Sequence, residues 1–594
     1  MIDNKHISKF IIVLMALAVI LCLVLVVFSG QVKQVLGETG IRMDYETKLF
    51  DTSEIMTVDI QMDQEEWDRL LDSAISEEYF VCDVVVNGLK VSNVGIRPKG
   101  NTSLSAIVSD PDTDRYSFKL EFDHYVEDQT CYGLDKLILN NNYADATNMK
   151  EAIIYDMYQY IGADASLYNY AKVSVNGEYW GVYLALEGVE DSFMLRSYGT
   201  QSGELYKPES MGMGGGDDSD KKFDRDSDRD KKPEKRPGSE SSTDKESSSD
   251  KESSSDTQSS PDAGDMPGFG GGDFGPGDMP NFGGGDFDPS DMPNFGGDNS
   301  NAGDMPSFGG GNFNPGDMPN FGGGDFNPSD MKDGFSFGGF SMGGGGANLN
   351  YTGDDLDNYS TIWEGAITDP STKDKRRVVT AIKNVNEGTN LEDYLDIDNL
   401  LKYMAVHTFA VNMDSLSGSM AHNYYLYEYD GKLNLIPWDY NLSFGGMSMG
   451  GGSASDMIND AIDTPFSGTN FFDKILENEE YLARYHEYLN LLVEEYVNGG
   501  RFDETYQRIR SQIDELVVTD PTAFYNAEEY EVAVNMIYKT VKLRGESVAG
   551  QLSGAIPSTD EGQREDASAL IDASEIDIKA MGEFNMGGGF GRDS

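Results

Sequence analysis

Alternating apolar and polar residues in the first third of the chain predict β-strands. Residues 56–60, 80–86 and 116–122 alternate with a period of two, which is typical of strands with one buried face. Asn-Gly pairs at 87–88 and 176–177 predict β-hairpins, the second of them spanning 171–187. We expect a small antiparallel sheet with one helix across it.

Apolar residues at helical spacing dominate the last third of the chain. A helix is also predicted earlier, after residue 145, with Asp145 or Thr147 as its cap. Apolar stripes at 391–404, 472–492 and 530–552 predict three longer helices, and a hairpin with an Asp-Gly turn lies between the first two. A β-rich part therefore precedes a mainly helical part, and the predicted fold class is α+β.

The N-terminal region contains one long apolar run. Residues 10–28 are 19 residues without a charge and follow two lysines. As a helix, a run of this length spans roughly 28 Å, close to the hydrocarbon thickness of a bilayer. We expect a transmembrane signal-anchor that places the rest of the chain outside the cell, with a cleaved signal peptide as the alternative. In that oxidising space Cys82 and Cys131 could pair, and the sequence leaves this open.

The middle of the chain has a different composition. Of the 67 glycines, 32 lie within 209–347, a segment with almost no Val, Ile or Leu. Such a segment cannot bury enough apolar surface to offset its chain entropy, so we expect a disordered insert. Residues 221–260 are charged and Ser-rich, and an Asp-Met-Pro-x-Phe-Gly-Gly repeat with a 13-residue period follows. The repeat is either a flexible low-complexity loop or a self-associating segment.

These patterns predict five regions. They are a cytoplasmic stub and anchor at 1–30, a β-rich region at 45–208, the insert at 209–347, a helical region at 348–555 and a disordered tail at 556–594.

Charge and the counts of His and Cys exclude several classes of protein. The chain has 45 Lys+Arg against 103 Asp+Glu, a net charge of −58, which leaves no basic face for nucleic acid. Five His and three Cys exclude a zinc-rich or disulfide-dense protein. The Walker, HExxH and CxxC motifs are absent from the sequence.

The first candidate site is a turn in the β-rich region. Arg97 and Lys99 stand beside Asn101 in a turn rich in Gly, Asn, Thr and Ser. Backbone N–H groups of such a turn, together with the two cations, suit an anion or phosphate, and an ordinary exposed turn is the alternative. Lys119 lies mid-strand on the face opposite Phe118, where it is either solvated or directed into a cleft.

The second candidate site surrounds the predicted hairpin of the helical region. Asp414 and Asn423 precede its first strand, and Asp439 follows its second strand, before a Gly-rich loop. A carboxylate in that position commonly holds Mg²⁺, and the scarcity of His favours Mg²⁺ or Mn²⁺ over zinc. A helix cap or turn former is the alternative for Asp439.

Several motifs occur in a fixed order. They are GIRPKGNTS at 95–103, SFKLEFD at 117–123, LILNNNYADATNMKEAI at 137–153, YWGVYLALEGVEDSF at 179–193, LYKP at 205–208, and NMDSLSGSMAHNYYLY at 412–427 through IPWDYNLSFGG at 436–446. This ordered set resembles the CotH kinase family, the spore-coat-protein-H-like secreted kinases, over roughly residues 56–444. The resemblance implies an atypical protein-kinase-like fold, with a β-rich N-lobe and a mainly helical C-lobe around ATP and a divalent metal.

The resemblance also implies roles for single residues. Asp414 resembles the catalytic-loop Asp, and Asp439 and Asn423 resemble the metal ligands. The nine residues from Asp414 to Asn423 depart from the five of ordinary kinases. The remaining roles concern the nucleotide: Lys119 on the α/β-phosphates, Glu151 as its ion-pair partner, Arg97, Lys99 and Asn101 in the phosphate-covering loop, and Glu187 near the nucleotide hinge.

The resulting expectation is a membrane-anchored kinase of the cell surface. It would use ATP and Mg²⁺ or Mn²⁺ to phosphorylate Ser/Thr-rich secreted or surface proteins, including its own Ser-rich insert, with no nucleic acid as partner. Two alternatives stay open. One is a non-catalytic pseudokinase scaffold for surface or coat assembly, and the other is a nucleotidyl or other group transferase with a kinase-like fold.

Overall fold

The computed structural model describes residues 40–209, 335–337, 340–342, 346–418, 420–447, 452–582 and 584. The predicted anchor at 10–28 and the Ser-rich and repeat segments of the insert lie outside these residues. Contacts divide the chain into two units, 1–225 with 321–594 and 226–320, and all described residues belong to the first. No helix within the described ranges combines the length and apolar composition needed to cross a bilayer.

Seven strands of the β-rich region close into a barrel. Their order is β1-β2-β3-β4-β5-β7-β6, and a parallel pairing of β1 with β6 closes the ring. The strands are β1 Met56–Gln61, β2 Phe80–Val86, β3 Leu89–Lys99, β4 Ser117–Glu121, β5 Lys136–Asn140, β6 Tyr168–Val175 and β7 Glu178–Glu187. The two predicted hairpins are confirmed, and the predicted small sheet is instead a closed barrel.

Short turns and alternating side chains explain this architecture. The hairpin turns have left-handed backbone conformations at Asn87 and Asn176, with φ of 47° and 52°, which Asn and Gly tolerate best. Every second side chain of the strands is buried in one apolar core inside the barrel, for example Val84 on β2 and Phe118 and Leu120 on β4. The opposite face of β3, β4 and β5 is polar at one end, and that end borders the cleft described below.

Within the described residues, five further strands lie outside the barrel. Strand β8 pairs with β11, and β11 with β12, in a three-stranded antiparallel sheet. This confirms the predicted hairpin of the helical region. The strands are β8 Glu204–Tyr206, β9 Phe335–Phe337, β10 Phe340–Met342, β11 Tyr424–Tyr429 and β12 Lys432–Pro437.

Helices make up most of the C-terminal region. The early helices are α1 Asp44–Lys48, α2 Gln64–Asp72, α3 Thr102–Val108, α4 Lys150–Ile161 and α5 Asp191–Tyr198. The later helices are α6 Ser360–Glu364, α7 Thr372–Glu387, α8 Leu391–Tyr394, α9 Ile397–Ala410, α10 Ala454–Ile458, α11 Asp473–Leu476, α12 Glu479–Leu491, α13 Arg501–Val518, α14 Ala527–Leu552 and α15 Asp560–Glu565. The third predicted stripe forms α14, whereas the first is divided between α8 and α9 and the second between α11 and α12. The α+β class with a β-rich part before a helical part is confirmed.

Two features differ from expectation or resolve an open alternative. Where the sequence predicts no regular structure after residue 556, the chain forms α15 and then buries Met581 completely. The thiols of Cys82 and Cys131 are both free and buried, so the open question of their pairing is answered against a disulfide. Burial raises the pKa of Cys131 to about 12, which keeps this thiol protonated and unreactive.

Candidate active site

A polar cleft lies where the end of the barrel meets the helical region. Strands β3, β4 and β5 reach it with Lys99, Ser117 and Asn140, and α4 reaches it with Glu151 near its first turn. From the helical region, the loops before β11 and after β12 contribute a second group of side chains. That group comprises Asp414, His422, Asn423, Trp438 and Asp439.

Strand register places Lys99 at the cleft. Lys99 pairs with Ser117 across β3 and β4, so both side chains leave the same face of the barrel at its end. The Lys99 ammonium lies 3.3 Å from Asn140 Oδ1 and 5.6 Å from the centre of the Trp438 ring. The contact with the indole face holds this cation in the cleft without neutralising its charge.

Glu151 is a buried carboxyl without a full set of partners. Asn140 Nδ2 donates a hydrogen bond to Glu151 Oε2 at 2.9 Å, while Oε1 has no hydrogen-bond partner among the described residues. Burial, and next the nearby Asp439 carboxylate, raise the pKa of Glu151 to about 8. A cation that enters the cleft would stabilise the ionised form of this carboxyl and lower its pKa.

Asp439 is held at the cleft by a strained backbone. It follows β12 with a left-handed φ of 58°, a conformation that is uncommon for a residue with a side chain. Its backbone carbonyl accepts a hydrogen bond from Asn412 Nδ2 at 3.2 Å. Burial raises the pKa of its carboxyl, Lys99 opposes this shift, and Asp414 adds to it. The carboxylate therefore lies among groups of both signs.

Asp414 forms a buried polar group with two neighbours. His422 Nε2 lies 2.6 Å from Asp414 Oδ1, and Asn423 Nδ2 donates to Asp414 Oδ2 at 3.1 Å and to its backbone oxygen at 2.7 Å. Burial lowers the pKa of His422, but the Asp414 carboxylate outweighs this and raises it overall. The imidazole N–H therefore stays directed at Asp414.

The donor set fits a divalent cation that prefers oxygen ligands. No group of three or more His, Cys, Asp and Glu converges on one point in the described part of the chain. Asp414, Asn423 and Asp439 nevertheless line one cleft with oxygen donors, and Glu151 adds an unpartnered oxygen nearby. Mg²⁺ typically takes one or two carboxylates and completes its shell with water and phosphate, so the residues present fit Mg²⁺ or Mn²⁺.

Six of the nine predicted site residues lie at the cleft and three do not. Lys99, Asn101, Glu151, Asp414, Asn423 and Asp439 line it. Arg97 and Lys119 share the outer face of β3 and β4 with Lys99, but they lie farther along the strands. Arg97 forms a buried ion pair with Glu77.

Lys119 and Glu187 are committed to other partners. Lys119 Nζ lies 3.2 Å from Glu190 Oε1, so the ion pair that we expected between Lys119 and Glu151 is not formed. Glu187 is fully buried, where it accepts hydrogen bonds from Arg196 at 2.7 and 2.8 Å and from Tyr45 at 2.6 Å. Each of these side chains is therefore held away from the cleft.

Sequence reasoning assigned no role to three residues that line the cleft. Asn140 joins Lys99 to Glu151, Lys207 lies near Asp439 and lowers its pKa, and Trp438 packs against Lys99. All three lie inside motifs that were already singled out, and Trp438 directly precedes Asp439. Their position within those motifs could have identified them as site residues. Alternation alone could not, because it does not show which end of a strand meets a cleft.

The fold and the site define a mixed α+β protein with a cationic and carboxylate-lined cleft. The chain belongs to the CotH kinase family: the model of the family described as CotH kinase protein matches residues 96–258 and 341–548, more than half of the chain. Both matched segments contribute residues to the cleft. A search of curated proteins found no match. Membership of this family implies a kinase activity of the atypical kind.

Proposed function

We propose that the protein is an atypical protein serine/threonine kinase that uses ATP and Mg²⁺ or Mn²⁺. In this proposal the barrel and the helical region are the N-lobe and C-lobe of a kinase-like fold, with the nucleotide between them. The observation that carries the proposal is the convergence of Lys99, Asp414 and Asp439 in one cleft of a chain that belongs to a kinase family. Phosphoryl transfer requires mainly positioning and charge stabilisation, and these groups supply both.

Asp439 and Asn423 would hold the metal ion. When bound, a divalent cation neutralises phosphate charge that develops during transfer. The strained backbone at Asp439 and the two donors on Asp414 fix these side chains before any ligand arrives. This preorganisation spares the protein a rearrangement at the moment of reaction.

Lys99 and Asn101 would contact the phosphates, with Glu151 behind them. The geometry favours Lys99 over Lys119 for this role, because Lys119 is paired with Glu190 outside the cleft. Asn140 bridges Lys99 to Glu151, so the carboxyl orients the cation through an amide. Arg97 and Glu187 support the barrel rather than the nucleotide in this assignment.

Asp414 would orient the substrate hydroxyl and accept its proton. His422 and Asn423 each hold one of its two oxygens, which fixes the direction of the remaining lone pairs. A Ser or Thr hydroxyl at the cleft mouth would then face the metal-bound phosphate. The roles match the chemistry of each group, since no covalent intermediate is required.

The proposed substrates are Ser/Thr-rich secreted or surface proteins, with the anchor at 10–28 holding the enzyme outside the cell. The chain's own serines between 239 and 260 are proposed as a further substrate. Glu209, the first residue of the insert, lines the cleft, so the insert is tethered to the site by sequence. Tethering raises the effective concentration of a substrate.

The experiment is intact mass of the full-length chain after incubation with ATP and Mg²⁺ or Mn²⁺. We expect the mass to increase in multiples of about 80 Da, one per phosphoryl group. In Asp439→Asn the rate of this increase should fall about 1,000-fold. Asp463→Asn is a matched control, because this carboxylate pairs with His486 away from the cleft. Peptide mapping then locates the modified residues.

Each alternative gives a different result in the same experiment. Addition of about 329 Da indicates transfer of AMP and contradicts phosphoryl transfer. An unmodified insert beside a phosphorylated external peptide contradicts only the cis substrate. Absence of transfer to any substrate, with surface assembly intact in Asp439→Asn, supports the pseudokinase scaffold.

A further inference from the structure

A buried chain of hydrogen bonds runs behind the cleft. The hydroxyl of Tyr158 lies 2.6 Å from that of Tyr440, which lies 2.9 Å from His407 Nδ1. His407 Nε2 lies 2.9 Å from both Ser415 Oγ and Ser417 Oγ. All five side chains are fully or almost fully buried, so water does not compete for these contacts.

Both nitrogens of His407 have partners in this hydrogen-bond chain. The hydroxyls of Ser415 and Ser417 can each donate to the backbone oxygen of Asn412, at 3.1 and 2.6 Å. With the serine hydrogens on that oxygen, one consistent arrangement has His407 Nε2–H donating to the serine oxygens and Nδ1 accepting from the Tyr440 hydroxyl. Either hydroxyl of the Tyr158–Tyr440 pair can be the donor. Each nitrogen of a neutral imidazole therefore has a partner in either tautomer.

Burial supports a neutral imidazole over the whole useful pH range. It lowers the pKa of His407 to about 3, so the ring does not gain a proton near neutral pH. A histidine in this state connects two groups without acting as an acid or base. Its effect is to set their separation.

The chain of hydrogen bonds joins the loop that carries Asp414 to the loop that carries Asp439. Ser415 follows Asp414, and Tyr440 follows Asp439. Asn412 adds a second link, because its Oδ1 accepts from the Asp414 N–H at 3.3 Å and its Nδ2 donates to the Asp439 carbonyl.

Tyr158, at the other end of this chain of hydrogen bonds, lies on α4, the third element that borders the cleft. Tyr158 lies two turns along α4 from Glu151, on the same helix. The three elements that carry Glu151, Asp414 and Asp439 are therefore linked through Tyr440 and His407.

We propose that His407 is a positioning residue, whose two ring nitrogens hold the Asp414 and Asp439 loops at the separation that metal binding and phosphoryl transfer require. This inference deepens the proposed function and rests on it for its kinetic consequences. The imidazole touches neither substrate nor metal and acts through Tyr440 and the two serines. The imidazole also stacks against Tyr403 and Phe466, with ring centres 5.3 and 5.7 Å away. The test must therefore distinguish this packing role from the positioning role of the ring nitrogens.

The test compares three variants of the full-length protein. Tyr440→Phe removes the hydroxyl that links Nδ1 to Tyr158, and His407→Phe keeps an aromatic ring but loses both contacts. His407→Gln keeps an amide that can donate near the Nε2 position. Tyr403→Phe is the matched control, because its buried hydroxyl has no hydrogen-bond partner among the described residues and its ring contacts the same imidazole.

We expect Tyr440→Phe and His407→Phe to lower kcat about 10- to 100-fold with KM for ATP changed less than about 3-fold. His407→Gln should recover part of that loss, and Tyr403→Phe should match the wild type. Affinity for Mn²⁺ without nucleotide, measured by titration calorimetry, should fall about 10-fold in the first two variants. Thermal unfolding of all four is recorded alongside.

The two proposals fail in different ways. If the wild type transfers no phosphate, the proposed function fails, and Mn²⁺ affinity still tests the role of His407. Unchanged kcat and Mn²⁺ affinity in Tyr440→Phe would overturn the positioning role, as would losses that follow the melting temperature equally in Tyr403→Phe. If His407→Phe does not fold, Tyr440→Phe decides alone.

Discussion

Three residues in the loops that border the cleft have strained backbones. Asn423, Asp439 and Phe444 all have left-handed conformations, with φ of 57°, 58° and 53°. Each costs on the order of 1 kcal/mol for a residue other than Gly, and Asn and Asp less than most. The surrounding hydrogen bonds must offset this cost, including the bond from the Phe444 N–H to the Ala410 carbonyl at 2.8 Å. The carboxylate of Asp439 is therefore fixed by the fold before any ligand binds.

Lys99 on β3 and Lys119 on β4 share the outer face of the barrel and provide a direct residue-level prediction. Lys99→Met should lower the rate of phosphoryl transfer about 100-fold or more, because the cleft loses its cation beside Asp439. Lys119→Met should change the rate less than about 3-fold, since Glu190 keeps its ion pair with Lys136. Initial rates of both variants at saturating ATP provide the measurement. Equal losses in the two variants would contradict the assignment of Lys99.

The raised pKa of Glu151 predicts a specific pH dependence of stability. Burial, and next Asp439, raise this pKa from 4.5 to about 8 in the folded protein. Between these values the folded state keeps a proton that the unfolded chain releases. Stability therefore falls as the pH rises through this interval and levels off above about 8. The loss is of order 2–5 kcal/mol.

Glu151→Gln isolates that contribution. The variant should be less stable than or equal to the wild type at pH 5 and more stable at pH 9, measured as the free energy of unfolding in urea with a chelator present. Burial also raises the pKa of Asp135, Asp164 and Asp460 to about 6, and both proteins share these contributions. Parallel curves for the two proteins between pH 6 and 9 would contradict the predicted titration.

At the scale of elements, short sequence motifs correctly predicted the features that depend on neighbouring residues, such as hairpin turns. Asn-Gly and Asp-Gly pairs identified the three predicted hairpins, because their left-handed turns match the twist of paired strands. Closure of the barrel was not predicted, since the parallel pairing of Met56 with Ala171 joins strands more than a hundred residues apart. Helix α2, with Asp63 as its cap, was missed because only Trp67 and Leu70 of its nine residues are buried.

The site was predicted in part for the same reason. Alternation correctly placed Lys119 opposite the apolar face of β4, but it does not give position along a strand relative to the cleft. Alternation therefore does not show that Lys99 lies at the cleft and that Lys119 lies farther along the strands. Only the barrel and the helix α5 that follows β7, with Glu190 at its N-cap, separate their environments.

At the scale of the whole molecule, the C-terminal segment joins the two sides of the cleft. Met581 accepts a hydrogen bond from the Ala146 N–H at 3.1 Å, just before α4. The Lys150 ammonium, which is fully buried, donates to the Gly582 carbonyl at 3.0 Å. Phe584 lines the cleft and donates its N–H to the Gly446 carbonyl at 2.8 Å, in the loop after Asp439. The end of the chain thus connects α4 to that loop.

Removal of residues 578–594 should therefore destabilise the whole domain. The truncated chain leaves the Ala146 N–H, the Lys150 ammonium and the Gly446 carbonyl without these partners, and each lost contact in a buried setting costs about 1–3 kcal/mol. We expect the free energy of unfolding in urea to fall by about 3 kcal/mol or more, and nucleotide affinity to fall with it because α4 and the loop after Asp439 both border the cleft.

A double-mutant cycle distinguishes this contact from a general effect of shortening the chain. Lys150→Met removes the ammonium that Gly582 accepts from, so truncation of a Lys150→Met protein should cost less than truncation of the wild type. The coupling between the two changes should reach about 1 kcal/mol, as expected for groups in direct contact. Strict additivity would show that the segment stabilises the domain without the Lys150 contact. Such a result would leave the stabilisation to the bonds from Ala146 to Met581 and from Phe584 to Gly446.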